Sequence, residues 1–230
     1  MTPITTVASV LQRLKPAAIR GDEDGIAAME FALIAPLIVG LYLGLAEMSL
    51  AVSVDQQIAH SASVAGDMVA QVTEVGSDDM ADILSAALRV SQAPNASDFT
   101  MRVISYEMDD KGEIEDIGAA IYNPSQRGLL KEIDPGTLGK ELLSKDSGVV
   151  VATVAYRYKP LGYKNTIETT TGTKGKAFLT SFVMRETFML KPRRSLTVEI
   201  GAGKGEEMSC QGLGASLTCS GGDDPDDSTN

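Results

Sequence analysis

An α+β fold is predicted: a long N-terminal transmembrane helix continues into an exported domain in which an antiparallel sheet packs against helices. Three observations predict it. Phe31 to Ala46 reads FALIAPLIVGLYLGLA, a run without a single charge. Beyond it, Val54, Ile58, Ala62, Ala65, Val69 and Val72 recur at steps of three and four, the spacing of one helix face. Farther on, Phe99 to Met108, Val149 to Tyr158 and Phe178 to Leu190 are rich in β-branched residues or alternate apolar with polar, as strands do.

Composition bounds the rest. A length of 230 residues fits one domain, or one domain with an appendage, and excludes a multidomain enzyme. With 20 Lys and Arg against 31 Asp and Glu the formal net charge is −11, which repels phosphate backbones and argues against a nucleic-acid partner. Hydrophobic residues at 43% and charged residues at 22% suffice for a packed core. Trp is absent and aromatics are only 5%, so a stacking platform or large aromatic pocket is not expected.

The first element is the span. Ile26 to Val54 is apolar except at Glu30 and Glu47, and a bilayer crossing needs about 20 such residues at about 1.5 Å each. A cleaved secretory signal has a shorter apolar core, and no other segment of the chain could cover so apolar a cylinder. Arg13, Lys15 and Arg20 lie upstream, whereas the first cation downstream is Arg89. The asymmetry places the N-terminus in the cytoplasm and exports the remainder. Most of the acidity therefore belongs to the exported part.

Just ahead of the span stands RGDEDGIAAMEFALIAP. Glu30 is the fifth residue after Gly25, at the membrane entrance, where an ionised side chain is costly unless something neutralises it. A cut after Gly25 would create an α-amine on Ile26 about one helical turn from Glu30, and the same amine on a neighbouring helix could satisfy the carboxylate. Pro36, which would kink a soluble helix, is tolerated in lipid when neighbouring helices repair the backbone. Gly40 and Gly44 form a Gly-x3-Gly pair that lets two helices approach closely.

Glycine, four residues, glutamate and a hydrophobic helix resemble the type IV prepilin processing site, and GIAAMEFALIAPLIVG resembles the TadE-like family of the Flp (Tad) pilus systems. VVVATVAYRYKPLG (Val149 to Gly162) and FLTSFVMRETFMLKPR (Phe178 to Arg193) are similar to that family's C-terminal strands. The resemblance implies a processing site at Gly25 and Ile26, cut by a membrane aspartyl prepilin peptidase. It gives an assembly role to Glu30, beside which Pro36, Gly40 and Gly44 are expected to serve helix packing, with other Tad pilus subunits, the inner-membrane assembly platform and the lipid bilayer as partners. Major Flp pilins are little more than the helix, so the large exported domain implies a minor pilin or pseudopilin. It would sit in the bacterial inner membrane as a single-pass protein with a periplasmic domain, or in the pilus itself. The organisation expected is a leader over 1–25, a transmembrane helix over 26–54, an α+β domain over 55–200 and a glycine-rich acidic tail over 201–230.

Along the exported part, the three-four seam should carry the helix to about Val75, packed on the domain. Gly76 and Ser77 break it, and a second helix shares Met80, Ile83, Leu84, Ala87 and Leu88 on one face, ending by Pro94. Phe99 to Met108 and the segment from Ile114 form a hairpin around Asp109-Asp110-Lys111-Gly112. Asn123-Pro124 and Asp134-Pro135-Gly136 mark loops, with a short helix around Leu138 to Leu143. Val149 to Tyr158 is a strand ended by Pro160, Thr166 to Thr171 is a poorer one, and Phe178 to Leu190 and Ser195 to Ile200 follow. The tail ending in GGDDPDDSTN is too acidic to pack. Cys210 and Cys219 close a small loop as a disulfide in an oxidising compartment.

Catalytic residues are not expected. His60 is the single histidine, so no second one can join a Ser or Cys in a triad, and no glycine loop or ligand cluster has phosphate or metal spacing. No cofactor is expected. Asp78-Asp79 reads as a helix start, and Lys191, Arg193 and Arg194 as a solvated strand end. The competing expectation is an unprocessed single-pass periplasmic sensor or binding module.

Overall fold

The computed structural model describes residues 24–91, 95–109, 111–137, 147–160, 181–201 and 203–221. Most of the leader, the helix expected around Leu138 to Leu143, the strand expected at Thr166 to Thr171 and the acidic end of the tail lie outside them. The chain divides into two compact units, Met1–Ser49 and Leu50–Asn230.

The first unit holds the start of helix α1 (Asp24–Ala70), which runs through Pro36 without interruption. It is the one candidate membrane span by length and composition among the described residues. Its large apolar side chains point outward: Leu33 is 83% exposed, Phe31 71% and Leu37 67%. Apolar surface of that extent is compatible with a single membrane crossing.

In the second unit the remainder of α1 changes character. Ile58, Ala62, Ala65 and Val69 are fully buried and Val54 nearly so, as the three-four spacing predicts. Small residues bring the helix close to the sheet. A Cβ on Gly66 would stand 3.3 Å from Ala152 Cβ and 2.6 Å from Leu190 Cδ1. The helix ends at Ala70, short of the expected Val75. The Ala70 carbonyl accepts from the Arg193 amide at 2.8 Å, and β1 (Glu74–Val75) pairs in parallel with β6 (Glu199–Ile200).

Helix α2 (Ser77–Ser91) follows, with Asp78 and Asp79 in its first turn and Arg89 in its last, both matched to the helix dipole. Met80, Ile83, Leu84 and Ala87 are buried and Leu88 partly so. The sheet then assembles from β2 (Phe99–Met108), β3 (Ile114–Tyr122), β4 (Gly148–Tyr158), β5 (Phe182–Leu190), β7 (Glu207–Gln211) and β8 (Thr218–Ser220), in the order β5-β4-β2-β3-β7-β8. All neighbours are antiparallel except β3 and β7.

Strand period two divides the core. Phe99, Met101 and Val103 of β2, with Val150, Ala152 and Val154 of β4, join α1 and α2 in the main cluster. Ile104, Tyr106, Met108, Val149 and Val151 form a second cluster on the opposite face with Ile133 against it. β2 is thus covered on both faces. Buried Thr100 donates to the Tyr122 carbonyl at 2.8 Å, and the Ser105 hydroxyl is buried with no partner.

Two expectations change at the C-terminal end. Only Glu199–Ile200 of the expected Ser195 to Ile200 strand forms, because Leu196 instead accepts a hydrogen bond from the Gly148 amide at 2.7 Å as the segment crosses the sheet end. The crossing is close. Gly118 has φ +151°, and a Cβ at that position would collide with the Ile200 carbonyl oxygen, so the contact requires glycine. The stretch read as a glycine-rich tail supplies β7 and β8. Met208 and Cys210 are buried there, while Gly203, Gly205 and Gly212 adopt the positive φ of turns.

Gly66→Leu should overpack the helix–sheet seam and lower unfolding free energy by about 1–3 kcal/mol. Ile58→Ala should lower it by about 2–5 kcal/mol through an unfilled cavity. Urea unfolding followed by circular dichroism of the detergent-solubilised chain measures both.

Candidate functional site

The residues singled out near the N-terminus all lie on one helix. Gly25 and Ile26 fall in the first turn of α1, and Glu30 follows a little over one turn later, about 6 Å along the axis. The Glu30 side chain is exposed, as is that of Met29 beside it. Gly40 and Gly44 are separated by one turn, and a Cβ added to either would meet nothing within 4 Å. The notch they form is open for another helix to enter. Pro36 sits between Glu30 and this notch, and helical geometry persists through it. Glu47 is half-buried.

The cysteines belong to the other unit. Cys210 of β7 and Cys219 of β8 are directly opposite in the antiparallel pair and form a disulfide, nine residues apart in sequence. β8 is only three residues long, so a covalent tie secures a strand that few ladder bonds hold. The loop closes over Gly212, whose carbonyl accepts from the Tyr122 hydroxyl at 3.1 Å, and burial raises that phenol above its ordinary range.

Charged groups in the second unit are engaged in structural pairs. Glu207 of β7 takes Arg102 of β2 at 2.5 Å and also the Arg127 guanidinium, which locks the parallel strand to the sheet centre. Asp98 pairs with Lys159 at 2.5 Å, and Arg193 pairs with Asp67. Lys204 reaches Glu115 at 3.1 Å, and that bond raises its ammonium. At the β2–β3 turn the Asp109 carboxylate accepts from the Glu113 and Lys111 amides, both at 2.8 Å, and the Glu113 bond leads in holding it below the usual carboxylate range. Sequence reasoning missed the Glu207 cluster, yet EMSCQ between glycine turns alternates apolar and polar, and that pattern marks the strand.

His60 is exposed on α1. Among the described residues no group of three or more His, Cys, Asp or Glu side chains could hold a metal. An open cleft of about 680 Å³ is lined by Met68, Val72, Asp79, Asp82, Arg193 and Arg194, a mixture of both charges with no nucleophile beside a base.

Residues 25–67 match a family model described as TadE-like protein. This N-terminal segment is TadE-like. The match starts at the proposed cut and runs past Glu47 through the buried seam to Gly66 and Asp67, so the TadE-like segment holds both the exposed apolar stretch and the small-residue face. It stops short of the strands at 149–193 that also resembled the family. No curated protein and no solved structure matches the chain.

Two outcomes follow from the geometry of the second unit. Removing the disulfide by Cys210→Ala with Cys219→Ala should lower stability by about 2–3 kcal/mol on loop-entropy grounds, read from urea midpoints under non-reducing conditions. The Glu186 carboxyl is raised, first by burial and then by the Asp55 carboxylate. The folded form therefore keeps its proton to higher pH than the unfolded chain, and ionised Glu186 costs stability above the folded pKa. Glu186→Gln should raise the unfolding midpoint at neutral pH, and the gain should vanish as pH falls through that pKa.

Proposed function

We propose that this chain is a minor pilin or pseudopilin-like subunit for Tad pilus assembly, anchored by α1 in the inner membrane with its leader in the cytoplasm and its second unit in the periplasm. A prepilin peptidase cuts between Gly25 and Ile26. The new amine of Ile26 on one helix then meets the Glu30 carboxylate of a neighbouring helix. The observation that carries this reading is the family match, which begins at Gly25 on an unbroken helix whose apolar side chains are exposed.

The energetics favour a pair. An acidic group at the centre of a membrane helix costs roughly 2.5–3.5 kcal/mol on insertion scales, with less near the edge, and a counter-charge offsets that cost. In a low-dielectric surrounding the pair is directional and needs the amine at one height, so it selects the axial register between helices. Gly40 and Gly44 permit close approach above it, and Pro36 frees a carbonyl that a neighbour can bond. The second unit, fastened at its edge by the disulfide, is the surface offered to other Tad subunits and to the assembly platform. No step requires a cofactor or a catalytic side chain of this chain.

Two variants test the reading. Gly25→Leu, co-expressed with the peptidase, should retain the leader, so that intact mass stays at the uncut value; a normal cut would refute the site. Glu30→Ala should insert and be cut normally yet abolish or sharply reduce piliation, scored by electron microscopy of a complemented deletion strain. Unchanged piliation would remove Glu30 from the mechanism.

A further inference from the structure

Within the second unit, α1 and β5 run side by side in the same direction. The Ala70 carbonyl accepts from the Arg193 amide at 2.8 Å, and Gly66 stands against Ala152 and Leu190. Farther down, Glu186, raised first by burial, is raised again by the Asp55 carboxylate beside it. The first residue of β5, Phe182, therefore lies past Asp55 on the side of Leu50. From Glu186 back to Phe182 is about 13 Å of strand. From Asp55 back to Leu50 is only about 7.5 Å of helix. The Phe182 end of the sheet thus reaches the level of Leu50–Val54, the outer end of the apolar run, where Leu50 and Val52 are exposed.

This end differs in chemistry from the other. Register gathers Tyr158 opposite Phe182 and Tyr156 opposite Phe99 here, whereas Glu107, opposite both Glu115 and Gly148, marks the far end. Around the far end Glu107, Asp109, Glu113 and Glu115 crowd a single hairpin. At the near end Arg157 and Lys159 flank Tyr158. The carboxylate within 95–99, 156–160 and 181–184 is Asp98, only 5% exposed and paired with Lys159. The Tyr158 and Phe182 rings lie 5.3 Å apart, and Phe182 is 47% exposed. A chain of net charge −11 thus keeps exposed acid away from the sheet end beside Leu50.

We infer that this end of the sheet rests in the headgroup layer of the bilayer that α1 crosses, with Tyr158 and Phe182 at the interface and Arg157 and Lys159 toward the lipid phosphates. Aromatic rings favour that layer, anionic lipids attract Lys and Arg, and the same lipids repel carboxylates. The inference rests on the membrane insertion proposed above. A second contact beside α1 fixes the tilt of the unit and turns the acidic β2–β3 hairpin away from the membrane. β4 is 11 residues long, so about 36 Å separates the two ends.

The test uses the full chain purified from membranes and reconstituted in vesicles of phosphatidylcholine and phosphatidylglycerol. The native cysteines are disulfide-bonded and leave no competing thiol. A bimane probe is placed at Ser181→Cys, which keeps Phe182 intact, at Leu196→Cys at the far end, or at Leu37→Cys in the apolar run. A lipid spin-labelled on its headgroup should remove most of the emission at Ser181→Cys. It should leave the emission at Leu196→Cys unchanged, although Leu196, at 68%, is more exposed than Phe182. Adding Phe182→Asp should restore the emission at Ser181→Cys, and the comparison of the two ends decides the matter even if that variant does not fold. Equal quenching at Ser181→Cys and Leu196→Cys, with Leu37→Cys still quenched by acyl-brominated lipid, overturns the inference and leaves insertion standing. A Leu37→Cys probe that no brominated lipid quenches overturns insertion itself and the inference with it.

Discussion

One helix here must satisfy two different surroundings, and its side-chain sizes follow from that requirement. From Met29 to Val52 the large residues Phe31, Leu33, Leu37, Tyr42 and Leu45 point outward, as a lipid-facing cylinder demands. From Val54 onward the buried positions shrink to Ala62, Ala65 and Gly66, and close approach to the sheet replaces bulk. Glu30 falls in the first regime and is the residue on which the assembly reading turns. In the proposed assembly a carboxylate in that setting needs an opposite charge, which a cut after Gly25 would create.

The second unit shows how an acidic domain with few aromatics holds its shape. Two clusters, one on each face of the sheet, cover β2 and β4 almost completely, and the ring pair Phe99 with Tyr122 lies 6.1 Å apart within the larger one. The far edge depends on other means. β7 enters in parallel beside β3, tied by Glu207 to Arg102 and Arg127, and the disulfide fastens β8 to it. Short edge strands resist unwanted pairing with other chains but contribute little ladder energy, so the covalent bond supplies what hydrogen bonds there cannot.

Much of this was legible in the sequence, and the rest was hidden for definable reasons. The apolar run, the three-four seam, α2, the β2–β3 hairpin and β4 each announce themselves through periodicity or turn chemistry that depends on neighbours in sequence. The helix end at Ala70 was not legible, because it depends on Arg193 and on pairing with Glu199–Ile200, more than a hundred residues away. β7 and β8 were obscured by glycine, which serves equally in a disordered tail and in the positive-φ turns at Gly203, Gly205 and Gly212. Gly66 looked like any small residue until the sheet showed what presses on it. At the junction, Gly25, Ile26 and Glu30 were singled out by spacing alone, and the family match begins at the first of them; their cleavage and assembly roles belong to the proposal.

The central claim, that the Glu30 carboxylate is met by an Ile26 amine from a neighbouring helix, is open to direct chemical capture. A zero-length carbodiimide applied to membranes of assembling cells, followed by mass spectrometry, should yield an amide joining the Ile26 α-amine of one chain to Glu30 of another, absent in Glu30→Gln. Membranes that hold the cut, inserted chain but yield no such amide under conditions where other carboxylate–amine pairs couple would contradict it.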